Sequence, residues 1–181
     1  MGDERTGLVS IYIALGANQP AQYRGETMSP DETFLLATAH MQKSGITVIK
    51  ASNLWQSPAW PDPTTQPPYI NGVMAVETQL EPLDLLAVLK QTEAEFGRVD
   101  AVRNAPRPLD LDILDYDGRI MSEANLVLPH PRMLNRPFVL MPLAEIAPDW
   151  RDPIKKRAVA DWTARLALED VAPLRRLGQM L

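Results

Sequence analysis

The chain has 181 residues, enough for about one domain with a substantial buried core and no need of cross-links. It contains no cysteine, which excludes a disulfide scaffold, a thiol nucleophile, a cysteine zinc site and an iron–sulfur cluster, and fits a reducing compartment. The balance of 18 basic and 23 acidic residues, −5 overall, is not that of a general nucleic-acid binder, and no apolar run approaches the ~20 residues of a membrane span.

In chain order, Leu8–Leu15 predicts a strand rich in Val, Ile and Tyr, ending in Gly16-Ala17-Asn18. Pro20–Thr27 reads as a polar loop. Ser29-Pro30-Asp31-Glu32 has the composition of a helix start, with a capping serine, proline at the first turn and a glutamate placed to close the box. Phe34, Leu35, Ala39 and Met41 predict the apolar face of that helix, and Gly45 its end. Ile46–Gln56 predicts a second strand. Ser57–Pro68 holds five prolines and cannot be regular structure. Tyr69–Gln79 predicts a third strand. Pro82 opens a second helix with Leu83, Leu86, Leu89, Thr92 and Phe96 as its stripe, and Gly97 ends it.

Arg98–Pro108 is a charged loop. Leu109–Tyr116 predicts a fourth strand, and Asp117-Gly118 a turn into a short partner at Arg119–Met121. A mixed helix–loop segment follows Pro129, and a C-terminal helix is expected at Ala158–Leu168. The order strand, helix, strand, strand, helix, strand is that of a split βαβ unit. The expected fold is therefore α+β: a ferredoxin-like βαββαβ core, mostly antiparallel, with helices packed on the sheet and a C-terminal helical extension. No repeat or linker divides residues 1–181.

The string Arg103-Asn104-Ala105-Pro106-Arg107-Pro108-Leu109-Asp110-Leu111-Asp112-Ile113-Leu114 is the most informative. Residues two apart on a strand share a face, so Asp110 and Asp112 stand together while Leu109, Leu111 and Ile113 face the other way. Two adjacent carboxylates repel, and a divalent cation is the simplest compensation. Oxygen ligands completed by phosphate and water suit Mg²⁺, and two such ions suit phosphoryl transfer. A solvated polar strand face is the alternative. The chain lacks a Gly-x-x-x-x-Gly-Lys-Ser/Thr loop, so phosphate binding falls to arginine side chains.

At these residues the sequence resembles the 6-hydroxymethyl-7,8-dihydropterin pyrophosphokinases of folate biosynthesis. Tyr12–Asn18, Ser57-Pro58 through Tyr69-Ile70-Asn71, and Leu128-Pro129-His130-Pro131-Arg132 through Arg136-Pro137-Phe138-Val139-Leu140 are similar to other blocks of that family, over roughly residues 8–150. The resemblance implies transfer of pyrophosphate from ATP to the pterin hydroxymethyl group, leaving AMP. It implies two Mg²⁺ on Asp110 and Asp112, and ATP as co-substrate. Arg98 and Arg107 would act on the phosphates, with Glu93, Ile113, His130 and Arg136 beside the nucleotide. Tyr69 and Phe138 would hold the pterin ring, Asn71 its amide-like edge, with Ser57, Pro58, Trp60 and Asp110 completing the substrate site.

Departures from the family pattern are Asp100, where a second arginine is frequent, Asn104 for a tryptophan, Ala105 for a glycine, Asn125 for an arginine and Pro131 for an aromatic. They bear on nucleotide affinity and loop closure. A monomeric, cytoplasmic enzyme with no membrane or nucleic-acid partner is expected. The competing reading is a catalytically weak or inactive ferredoxin-like module that binds nucleotide or pterin. A different Asp-x-Asp nucleotide enzyme would leave the pterin-side residues unexplained.

Overall fold

The computed structural model describes residues 11–59, 63–99 and 105–181. The strands are β1 Ile11–Ala17, β2 Ala21–Tyr23, β3 Glu26–Met28, β4 Thr47–Ala51, β5 Asn53–Ser57, β6 Tyr69–Glu77, β7 Asp110–Tyr116, β8 Met121–Ser122, β9 Val127–Leu128 and β10 Arg175–Gln179. The helices are α1 Pro30–Lys43, α2 Pro82–Glu95, α3 Pro137–Ile146, α4 Val159–Thr163 and α5 Leu168–Val171. The main sheet runs β10-β5-β6-β1-β7, with β4 also paired to β6, and these pairings are all antiparallel. The central β7-β1-β6 order is the one expected of the ferredoxin-like plan.

The predicted second strand is broken at Ser52, whose backbone N–H donates to the Val73 carbonyl and whose hydroxyl accepts from the Val73 N–H. One residue thus closes a gap in the ladder, and its two halves both pair with β6. The segment predicted as a polar loop at 20–27 is the hairpin β2–β3. Arg24 and Gly25 both have positive φ, the conformation its two-residue turn requires. The short partner strand expected at Arg119–Met121 does not form a hairpin with β7: β8, at Met121–Ser122, pairs instead with β9.

Both long helices are rotated from the predicted stripes. On α1 the buried residues are Thr33, Phe34, Ala37 and Met41, while Leu35 is exposed. On α2, Leu85, Leu89, Thr92 and Phe96 are buried, while Leu83 is exposed. The Leu83-Asp84-Leu85-Leu86 run offers apolar residues on several faces, and packing against the sheet selects the set spaced by four, three and four. The predicted C-terminal helix is only α4. The chain beyond it forms α5 and then β10, a strand at the sheet edge.

The sheet separates two apolar layers. One holds Ile11, Ile13, Leu15, Leu109, Leu111 and Ile113 against Phe34, Met41, Leu85, Leu89 and Phe96 of α1 and α2. The other holds Val73 and Leu114 against Val139, Leu140, Leu143, Trp150 and Trp162 of the C-terminal half. The second layer covers only part of its face, and the uncovered end carries the polar residues of β6 and β7. Asp115 fastens this layer: Oδ1 accepts from the Gly118 N–H at 2.9 Å and Oδ2 from Trp150 Nε1 at 2.7 Å. Asparagine has one oxygen, so Asp115→Asn leaves one buried donor unpaired. The expected cost is about 1–3 kcal/mol, read from urea unfolding.

Candidate active site

The register of β1 with its two neighbours builds the site. Gly16 lies opposite Asp110 on β7 and Asn71 on β6, and Ala14 opposite Asp112 and Val73. Two strands that carry polar groups are thus separated by a strand bearing almost no side chain. Gly16 and Ala14 form the floor of a cavity of about 610 Å³, walled by Tyr69, Asn71, Asp110, Asp112, Arg136 and Phe138 among others. A Cβ placed on Gly16 would lie 3.6 Å from Asn71 Oδ1 and 3.9 Å from Asp110 Cβ. Gly16 is therefore the low point between them.

Each side chain on this floor is oriented by neighbours. Asn71 Nδ2 donates to Ser57 Oγ at 3.0 Å and to the Trp55 carbonyl at 3.3 Å, which turns Oδ1 toward Gly16. A fixed acceptor at the cavity suits an N–H or amino donor on a ligand. Tyr69 is half-buried at the start of β6, and Phe138 is half-buried in the first turn of α3. Ser57 and Pro58, also expected at the substrate, line the same cavity. Trp60 lies outside the described residues, as do Asp100, Arg103 and Asn104.

The carboxylate pair stands as the strand periodicity predicts, and Asp110 is paired with two arginines. Arg98 reaches Asp110 Oδ1 at 2.5 Å and Arg107 reaches Oδ2 at 3.0 Å. Arg98 also pairs with Glu93 at 2.7 Å. Glu93 is 2% exposed and accepts from Lys90 and from the Leu111 N–H. Burial pushes the Glu93 pKa up against the pull of Lys90 and that backbone donor. Burial also pushes Asp110 up, but Arg107 and Arg98 outweigh it and hold the carboxyl below its ordinary range.

Asp112 has a weaker partner. His130 Nε2 stands 3.8 Å from its Oδ2. His130 Nδ1 accepts the Arg132 N–H at 3.2 Å, which places the proton of the neutral ring on Nε2, toward Asp112. Burial holds the His130 pKa down, with Arg136 and Arg132 adding to the effect against Asp112. A hydrogen bond from the His130 N–H to the Leu114 carbonyl at 2.8 Å ties this segment to β7.

Ile113, Glu93 and Arg98, expected beside the nucleotide, are not among the residues that line the main cavity. The Ile113 side chain is 2% exposed and faces the α1–α2 layer, so only its backbone is available to a ligand. Glu93 lies beneath the strand and positions Arg98. Arg98 borders a smaller adjoining pocket with Gly97, Pro106 and Arg107. The sequence reading missed the role of Asn18. Its Oδ1 accepts the Arg107 N–H at 2.9 Å, its own N–H donates to the Arg107 carbonyl, and Nδ2 reaches the Pro67 carbonyl. It pins the arginine loop to the end of β1, and a buried asparagine just past a strand was the available signal.

A family model described as 7,8-dihydro-6-hydroxymethylpterin-pyrophosphokinase (HPPK) matches residues 12–148. The chain belongs to this family. Named 2-amino-4-hydroxy-6-hydroxymethyldihydropteridine pyrophosphokinases agree with it. The one from Synechocystis is 42% identical over 76% of this chain and 71% of its own length. The one from Pseudomonas aeruginosa is 40% identical over 79% and 83%. The wild-type Plasmodium falciparum HPPK-DHPS structure superposes with a TM-score of 0.63 at 13% identity, over 90% of this chain and 45% of that one, which supports the fold. The chain thus spans under half the length of that solved chain. Family membership makes this chain a pyrophosphokinase of folate synthesis, the reading carried by the Asp-Leu-Asp string, in preference to an idle binding module. No helix among the described residues is long and apolar enough to cross a membrane.

The Asp110 cluster sets an acid limb on stability. Its native pKa lies below the ordinary 3.8, so ionised Asp110 stabilises the fold above that value. The contribution disappears as pH falls through the lowered native value. Asp110→Asn removes the titrating group, and urea midpoints below about pH 4 are expected to fall less steeply in the variant.

Proposed function

We propose that this HPPK-family chain uses the β7 end of the cavity for the phosphates of ATP and the β6 end for 6-hydroxymethyl-7,8-dihydropterin. The observation that carries this division is the Asp110–Gly16–Asn71 row across three adjacent strands. Two strand spacings separate its ends by about 10 Å, a span that a flat bicyclic ring bearing a hydroxymethyl arm can bridge. Tyr69 and Phe138 supply aromatic faces for the ring, and Asn71 Oδ1 accepts from its amide-like edge.

Asp110 and Asp112 fit Mg²⁺ as a hard, oxygen-only pair whose side chains are 25% and 32% exposed beside the cavity. Among the described residues no cluster of three metal-ligating side chains is present, so phosphate and water would complete the coordination. Bound there, Mg²⁺ would neutralise phosphate charge and lower the pKa of the attacking hydroxyl. Two ions are the proposed complement. The chain's own part is positioning. Asp110 would exchange an arginine contact for a metal contact, which frees a guanidinium of Arg98 or Arg107 for phosphate oxygens. Arg136 and the Nε2–H of His130 face the same region and add donors for the negative charge. The pterin hydroxyl would give its proton to solvent as its oxygen forms a bond to the β-phosphorus, and the bond from that phosphorus to the AMP oxygen would break, so that AMP leaves. A monomer in the cytoplasm is the proposed working form.

Incubation with Mg-ATP and the hydroxymethyl pterin is expected to release AMP. ADP release would indicate an ordinary kinase, and release of neither would return the binding module. Asp112→Ala is expected to remain folded and to lose at least about a hundredfold in turnover. Gly16→Val is expected to fold, since a Cβ there meets only ordinary contacts. Its added methyls fill the floor, and the KM for pterin should rise about tenfold or more.

A further inference from the structure

The family match ends at residue 148, yet Glu169, Asp170, Pro173 and Leu174 line the same cavity. Three attachments hold this segment in place. β10 pairs antiparallel with β5, with Arg175 opposite Gln56 and Arg176 opposite Trp55. Continuing that register by one residue sets Leu174 beside Ser57, and both border the cavity. Arg176 Nε pairs with Glu145 Oε1 of α3 at 3.0 Å. After β10 the chain drives Met180 into the core, where it is 6% exposed. A Cβ on Gly72 would come within 2.6 Å of the Met180 sulfur, so the thioether occupies the room that the missing side chain leaves. The segment is fastened to β5, α3 and β6 at once.

The sheet order places β10 and β7 at opposite edges. Four strand spacings, about 19 Å, separate the C-terminal segment from the carboxylate strand. Glu169 and Asp170 add negative charge at this wall, which disfavours a triphosphate there. Pro173 and Leu174 offer apolar surface beside Ser57. The geometry points to residues 169–174 as a wall of the ring-binding end of the cavity, with Leu174 as a residue that sets affinity for the pterin and not for ATP. This rests on the division of the cavity proposed above.

The test is steady-state kinetics of Leu174→Ala with both substrates varied, beside Leu168→Ala as a control on the same segment. Leu168 is 85% exposed and is not among the cavity-lining residues. Leu174→Ala is expected to raise the KM for pterin about tenfold, with the KM for ATP unchanged and Leu168→Ala silent. An unchanged pterin KM, or an equal rise for both substrates, overturns the wall. If the unaltered chain forms no AMP, the proposed reaction fails, and pterin binding followed by its fluorescence decides the wall separately. Weaker binding to Leu174→Ala than to the unaltered chain supports it. Equal binding, or none to either, overturns it.

Discussion

Asp110 and Asp112 stand on one face of β7, and holding two adjacent carboxyl groups beside a partly covered sheet is the constraint that organises the rest. Asp110 is answered on each oxygen by a different arginine, Arg98 and Arg107. Arg98 is in turn held by Glu93 from beneath, and Glu93 also accepts the Leu111 N–H, so α2, the arginine loop and β7 are joined by one chain of charge. Partly buried pairs of this kind add little net stability over apolar packing, but removing one member leaves a costly unpaired charge. Among the described residues, the ion pair of Asp112 is with His130, at a longer distance, while Arg98 and Arg136 act on it through their charge from further away. The pair is thus unequal: one carboxylate has two close arginine contacts, and the other a single longer contact to a histidine.

The site depends equally on what β1 lacks. Gly16 and Ala14 sit in register between the strands carrying the carboxylates and Asn71. Side chains of ordinary size there would fill the space over the sheet. The second apolar layer stops short of this end, so Leu114 and Val73 are buried under α3 while Asp112 and Asn71 look into the cavity. One face of one sheet is therefore core at one end and cavity floor at the other. Asn18 joins the two functions of β1, since it ends the strand and holds the arginine loop by backbone and side chain together.

The C-terminal segment lies beyond the family match yet lines the same cavity as the motif residues. β10 extends the sheet beyond β5, and Met180 lodges over Gly72 on the face opposite the cavity. Those attachments carry Leu174 to Ser57, at the β5–β6 end of the cavity and away from Asp110 and Asp112 on β7.

Much was legible in the sequence because it rests on local periodicity and short-range chemistry. The alternation of Leu109, Asp110, Leu111, Asp112 and Ile113 determined which groups share a face. Ser29 through Glu32 determined a helix start, and Pro82 and Gly97 bracketed the second helix. The motif residues determined the family. Tertiary structure decided what depends on partners distant in the chain: which leucines of α2 are buried, since several faces were apolar; where the ladder breaks, since Ser52 needs Val73; and which cations neutralise Asp110, since Arg98 arrives from the end of α2. It also decided that residues 175–179 form a strand. Their sequence has no strong alternation, and only the open edge of β5 supplies the hydrogen bonds that make them one.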